Sequence, residues 1–254
     1  MFKLQIKYLS FFFGIVSILS FFNILYSYYF NLYLNLETYY FTLGTSFILF
    51  IALFKFGKFN YKSNIFQKIL TILLGYLLIP LVLSIPFYLS IYNLTFSNSF
   101  FEAISGFTST GFTVFDNIKL IDQSLIIWRS STQWLGGLYF LFSIINLIDI
   151  YDDSFKKTLT NFISFNSSEI LKQAIKIFIL YSSLTILIFI VLNIFSIRTF
   201  DSLNLALTII SSGGFLPVNE LSSIIKENIQ IIIFSLLMLF SFFSLFFSYN
   251  LIFL

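Results

Sequence analysis

Twice, between long apolar runs, the chain inserts a segment too short and too polar to cross a bilayer. One is FFEAISGFTSTGFTVFD around Gly111, the other LALTIISSGGFLPVNE around Gly214. Each is rich in hydroxyls and closes on Gly-Phe. Irregular backbone at membrane depth survives only where protein buries it or where it lines a wet cavity. A glycine turn in such a place offers backbone carbonyls to a dehydrated cation, at angles that a Cβ would oppose. Two of them in one chain predict a pore built from repeated units.

The membrane assignment follows from the runs themselves. Apolar residues make up 58% of the 254 positions and charged residues 10%, with a mean hydropathy of +0.95. No water-soluble domain buries that much apolar surface. Six apolar stretches are legible, at residues 9–30, 38–56, 69–92, 124–148, 170–197 and 228–254. The expected fold is an all-α polytopic membrane protein: two N-terminal transmembrane helices, then two helix–pore-loop–helix repeats. In residues this reads as a helix pair over 1–62, a first unit over 63–150, a cytoplasmic loop over 151–169 and a second unit over 170–254. Lys3 and Lys7 precede the first stretch as in a signal peptide. Its long core and the lack of an Ala-x-Ala-like site favour a retained helix. Pro80 and Pro86 interrupt the third stretch, where a kink is expected.

Charge placement sets the expected orientation. Lys3 and Lys7 precede the first stretch; Lys55, Lys58, Lys62 and Lys68 follow the second; Lys156, Lys157, Lys172 and Lys176 follow the fourth. With a cytoplasmic N-terminus all of these lie on the cytoplasmic side, as basic anchors of an inner-membrane protein should. They are spaced along membrane flanks, facing lipid headgroups, so binding to nucleic acid is not expected. The chain has no His and no Cys, which excludes His general-base catalysis, thiolate metal sites and disulfides. Its acidic residues fall mostly at helix ends, so an intramembrane enzyme is not expected either, and no covalently bound cofactor.

The two glycine segments align without a gap. Gly214 stands 103 positions after Gly111, and at that shift Ala103 meets Ala206, Ser105 meets Thr208, Ser109 meets Ser212 and Phe112 meets Phe215. A short pore helix is expected over residues 100–107, with Glu102 near its start at the positive end of the dipole. The second is expected over 202–209, with Asp201 at the corresponding end. Thr108, Ser109, Thr110 and Gly111, with Ser211, Ser212, Gly213 and Gly214, would supply the oxygens that replace the hydration shell of a potassium-sized ion. The bland alternative is a pair of ordinary re-entrant or extracellular loops. Asp116 could attract cations to a mouth, whereas Asp122 reads as a solvated loop position. Arg129, beside Trp128, either snorkels outward or ties down the pore turn. Gly136 and Gly137 suit close helix packing, and Asp149, Asp152 and Asp153 read as solvated at a helix end.

SGFTSTGFTVFD followed by WRSSTQWLGGLYF resembles the first pore unit of the Trk/Ktr/HKT superfamily of potassium transporters, and in particular the bacterial Trk membrane subunit. ALTIISSGGFLPVNE resembles its second unit. The resemblance implies a potassium filter lined by Thr108–Gly111 and Ser211–Gly214, with Glu102 and Arg129 in support and K+ as the transported ion. It also implies a homodimer and a cytoplasmic nucleotide-binding regulatory subunit as partners. The family has four pore units and this chain has two. It is therefore expected to be the N-terminal half of a transporter, completed by the missing C-terminal units or by a second copy. The alternative is a non-conducting half-subunit that only assembles with or regulates another membrane protein.

Overall fold

The computed structural model describes residues 7–57, 65–148 and 170–253. Among these, all regular structure is helical: α1 (Lys7–Tyr29), α2 (Leu36–Phe56), α3 (Ile65–Leu83), α4 (Ile85–Tyr88), α5 (Phe96–Phe107), α6 (Gln123–Ile148), α7 (Ile170–Ile194), α8 (Thr199–Ile210) and α9 (Asn228–Phe253). The expected 151–169 loop, and with it Asp149, Asp152, Asp153, Lys58, Lys62, Lys156 and Lys157, lies outside the described residues.

Among the described residues, four helical stretches are long and apolar enough to cross a membrane: Lys7–Tyr29, Leu36–Phe56, Phe66–Tyr88 and Ile175–Ile194. The chain is a multi-pass membrane protein. The sequence also suggests a crossing by α6. Its 26 residues reach about 39 Å at 1.5 Å each, enough to cross. Its first half is polar: Arg129, Ser130, Ser131, Thr132 and Gln133 are all buried. α6 packs on α1, α3, α5, α7 and α8, and a helix surrounded by protein can carry polar groups that a lipid-facing one cannot.

The third stretch breaks where its prolines predict. Pro80 lies inside α3, Pro86 opens α4, and the helix resets at Ser84 between them. Trp128 Nε1 donates to the Leu83 carbonyl at 3.0 Å. A neighbouring helix thus caps an acceptor at the break, the condition under which membrane helices tolerate proline.

The N-terminal hairpin is attached by polar contacts. Ser17 and Ser46 hydroxyls meet at 2.8 Å between α1 and α2. Asn23 Nδ2 donates to the Ser124 carbonyl at 3.0 Å, and the Tyr39 and Ser124 hydroxyls lie 3.0 Å apart. Asp122 Oδ2 accepts from Ser124 Oγ at 2.7 Å and from Asn35 Nδ2 at 3.4 Å. The Asp122 amide donates to Tyr92 Oη at 2.6 Å. Asp122 is therefore a junction where hairpin, α4 loop and α6 converge, and not the solvated position its loop context suggested. Near the other end, aromatic rings fill the core: Phe12 and Tyr139 meet edge-on at 4.8 Å, and Tyr139 Oη donates to the Ile72 carbonyl.

Candidate functional site

The repeat holds at the level of individual hydrogen bonds. α5 and α8 have equal length, and both ends of α8 lie 103 positions after those of α5. The 3₁₀ turns Ile118–Leu120 and Leu221–Ser223 obey the same shift. So do the left-handed residues Asn93 and Ser196, with φ of 50° and 61°, and Ser109 and Ser212, with φ of 54° and 52°. In the first turn Ser109 N donates to the Gly106 carbonyl, Thr110 N to the Ser105 carbonyl and Ser105 Oγ to the Phe112 carbonyl. In the second, Ser212 N donates to Ile209, Gly213 N to Thr208 and Thr208 Oγ1 to Phe215. A buried hydroxyl on the short helix thus holds the carbonyl of the Gly-Phe exit in both units.

The turns come together at their glycines. A Cβ built on Gly111 would stand 2.6 Å from Gly214 Cα, and one on Gly214 would stand 3.4 Å from Gly111 Cα. The two glycines serve different needs. Gly111 has φ +82°, which only glycine adopts freely. Gly214 does not lie in the left-handed region, and its Cβ direction is open enough for ordinary contact.

Among the eight expected oxygen donors, Thr108, Thr110, Ser212 and Gly214 are exposed and Ser109, Gly111 and Gly213 half-buried. Ser211 is buried, its hydroxyl turned back to the Leu207 and Thr208 carbonyls. The Thr108 and Thr110 hydroxyls meet at 2.8 Å.

Glu102 sits elsewhere along its helix than the sequence suggested. α5 begins at Phe96, because Thr95 caps it by accepting from Asn98 N at 3.3 Å. Glu102 is thereby mid-helix and has no role at the dipole's positive end. It is 0% exposed and faces the segment that leaves the first turn, accepting from Thr113 Oγ1 at 3.0 Å and Val114 N at 2.9 Å. Arg129 Nε completes the set at 2.8 Å. Asp201, by contrast, does lie in the first turn of its helix, which begins three residues earlier than expected.

Arg129 does not snorkel. It is 1% exposed, stacked over Phe215 at 4.3 Å and Phe115 at 5.6 Å. Its remaining nitrogens donate to Thr113 Oγ1 at 3.1 Å and to the Leu216 carbonyl at 3.3 Å. Thr113 leaves the first turn and Leu216 leaves the second. One guanidinium therefore holds both exits, a task suited to its fixed fork of donors.

The same face of α6 continues the support one and two turns on. Gln133 Oε1 accepts from Phe215 N at 3.2 Å. Gly136 lets the Phe107 carbonyl lie against the helix, and Gly137 does the same for Ser211. Gln133 and Tyr181, which lies behind Gly137, were not singled out from sequence. The spacing of Arg129, Gln133, Gly136 and Gly137 on one helical face was the available signal. Past the turns, Asn219 Oδ1 accepts from Ile118 N at 2.8 Å and Asn219 Nδ2 donates to Asn117 Oδ1 at 3.2 Å, joining the two exit loops. Asp116 is exposed beside them. Among the described residues no group of acidic side chains is arranged to hold a metal ion.

No family model matches the chain. Over 172 residues it is 28% identical to an uncharacterized cation transporter of Methanocaldococcus jannaschii, covering 63% of this chain and 35% of that one. Over 60 residues it is 38% identical to the Trk system potassium uptake protein TrkI of Halomonas elongata, covering 24% and 11%. The fold superposes on the crystal structure of the potassium transporter TrkH from Vibrio parahaemolyticus with a TM-score of 0.72 at 19% identity, over 93% of this chain and 49% of that one. The chain is similar in sequence and in fold to Trk potassium uptake proteins. It spans about a third of the Methanocaldococcus transporter and about half of the solved TrkH chain. The relatives carry the names of cation transporters and potassium uptake proteins, not of enzymes.

Proposed function

We infer that this Trk relative forms half of a potassium-uptake pore in the cytoplasmic membrane, as a pore subunit or half-subunit. The meeting of Gly111 with Gly214, with matched hydrogen bonds behind both turns, carries this reading. Thr108–Gly111 and Ser211–Gly214 then present their oxygens to one ion path, Ser211 through its backbone alone. Carbonyl oxygens replace the ion's hydration shell without covalent chemistry. Glu102 and Arg129 fix the turns from behind, because fixed oxygens can prefer one ion radius and coordination over another.

The described lysines support a cytoplasmic N-terminus. Lys7 opens α1, Lys55 closes α2, and Lys68 and Lys176 lie near the starts of α3 and α7. Alternating helices place all four at one membrane face, the cytoplasmic one by the positive-inside rule. Two glycine turns make half of a four-unit ring, so the partner is a C-terminal half or a second copy. A homodimer and a cytoplasmic nucleotide-binding subunit complete the assembly on the model of the family.

Growth of a bacterium lacking its own potassium uptake, at limiting potassium, tests this. Rescue by the chain that Gly111→Ser abolishes supports the pore. Absence of rescue, with the chain present in the membrane and a C-terminal half co-expressed, supports the non-conducting alternative.

A further inference from the structure

Gln133 carries a cost that an apolar side chain of the same size would avoid. It is 0% exposed, and among the described residues its Nε2 has no hydrogen-bond partner. Leaving a buried amide donor unmet is unfavourable, and leucine or methionine would fill the same space without that donor. What glutamine adds is its acceptor. Oε1 accepts from the Phe215 N–H at 3.2 Å, while Thr208 Oγ1 donates to the Phe215 carbonyl at 3.2 Å. The Phe215 residue is thus held at both polar groups by side chains, one from α6 and one from α8. The need for an acceptor at Phe215 N fixes which way the carboxamide faces and leaves Nε2 unmet.

The carboxamide also touches the turn directly. A Cβ on Gly213 would stand 2.5 Å from both Cδ and Oε1 of Gln133 and 2.8 Å from Nε2. The amide therefore lies against the backbone of Gly213, immediately before Gly214. One helical turn further on, Gly137 brings α6 equally close to Ser211: its Cβ would stand 2.8 Å from Ser211 Cβ. The second turn is clamped from behind at Ser211, Gly213 and Phe215. Glu102 and Ser105 do the corresponding work for the first turn, so the two units solve one task with different chemistry. At the position matching Glu102 the second unit has Leu205, and its acceptor comes instead from α6.

We propose that Gln133 is a positioning residue that sets the depth of the second glycine turn and, through it, the ion preference of the path. The ion-preference half of this rests on the reading that Ser211–Gly214 line that path; the clamp itself does not. The test uses the full chain, with its co-expressed C-terminal half if rescue requires one, purified as wild type, Gln133→Met and Gln133→Glu. Two quantities are read: amide hydrogen exchange at Gly213 and Phe215 against Gly111, and the thermal unfolding midpoint in KCl against NaCl at equal ionic strength. Gln133→Met should speed exchange at Phe215 at least 10-fold with Gly111 unchanged, and should remove the difference between KCl and NaCl. Gln133→Glu keeps an acceptor and should keep the Phe215 protection. Wild-type protection of Phe215 in Gln133→Met would overturn the clamp, as would equal loss at both turns, which signals general loosening. A wild-type midpoint indifferent to KCl and NaCl would instead refute the ion path, and the exchange result would still decide the clamp.

Discussion

Arg129 Nε lies 2.8 Å from Glu102 Oε1, and between them the two side chains bind residues leaving both glycine turns. Taking two charges out of water is costly, and such a pair is weak evidence of stabilisation by itself. Here the charges are also saturated with hydrogen bonds, to Thr113, Val114 and Leu216. Removing one partner leaves the other buried and uncompensated. Arg129→Leu should therefore destabilise the protein by about 3–5 kcal/mol. Glu102→Leu combined with Arg129→Leu should cost less than the sum of the single changes. Thermal unfolding of the four proteins in detergent closes the cycle, and additive losses would show that the pair does not act as a unit. Arg129→Lys should recover little, since a single ammonium cannot reach three acceptors in a fixed fork.

Gly111 and Gly214 should differ in tolerance although the sequence makes them equivalent. Alanine at position 111 meets both a left-handed φ of 82° and the Gly214 Cα at 2.6 Å. The first costs about 1–2 kcal/mol, and forced overlap adds about 1–3 kcal/mol. Alanine at position 214 meets nothing closer than 3.4 Å and should stay within about 0.5 kcal/mol of wild type. Unfolding midpoints of Gly111→Ala and Gly214→Ala measure the difference. Similar losses in both would contradict the asymmetric approach seen here.

That asymmetry marks where legibility in the sequence ends. Periodic hydrophobicity and the paired Gly-Phe closures were enough for the helices, the repeat and its shift, because these depend on local pattern. Helix α5 starts four residues before its expected first residue, since capping at Thr95 depends on a single side chain, and α8 starts three early without any side-chain cap. Arg129 could be weighed between lipid surface and turn, but only the packing of Phe115 and Phe215 over its guanidinium decides for the turn. Asp122 and Gln133 gain their roles from residues far along the chain, Asn35 and Phe215, and no local pattern contains those pairings. Only tertiary structure brings such partners together.

The attachment of the N-terminal hairpin is concentrated enough to test by single hydroxyls. Tyr39 is fully buried and meets Ser124 Oγ at 3.0 Å, whereas Tyr40 meets Tyr28 at the exposed surface. Removing a buried hydroxyl leaves Ser124 with one partner fewer, so Tyr39→Phe should cost about 1 kcal/mol. Tyr40→Phe, whose hydroxyl is accessible to water or headgroups, should stay within about 0.5 kcal/mol of wild type. Asp122→Ala removes the acceptor for both Ser124 and Asn35 and should exceed Tyr39→Phe. Thermal unfolding gives the order, and a Tyr40→Phe loss equal to that of Tyr39→Phe would place the attachment elsewhere.

Helix glycines offer the last contrast, since α2 and α6 each carry at least one in their interior. A glycine inside a helix costs roughly 0.5–1 kcal/mol relative to alanine when nothing else constrains it. Gly44 has nothing within 4 Å of its Cβ direction, so Gly44→Ala should raise stability by that amount. Gly136 is different: a Cβ there would overlap the Phe107 carbonyl, the last residue of the helix that leads into the first turn. Backbone cannot swing aside as a flexible side chain can, so Gly136→Ala must push α5 away from α6. The loss should exceed the helical gain and be about 1–3 kcal/mol. It should also loosen Ser109 and Gly111, because both amides hydrogen-bond to α5 carbonyls. Unfolding midpoints and amide exchange at Gly111 read the two effects separately. Stabilisation by Gly136→Ala would mean that α5 and α6 do not pack backbone to backbone at this point.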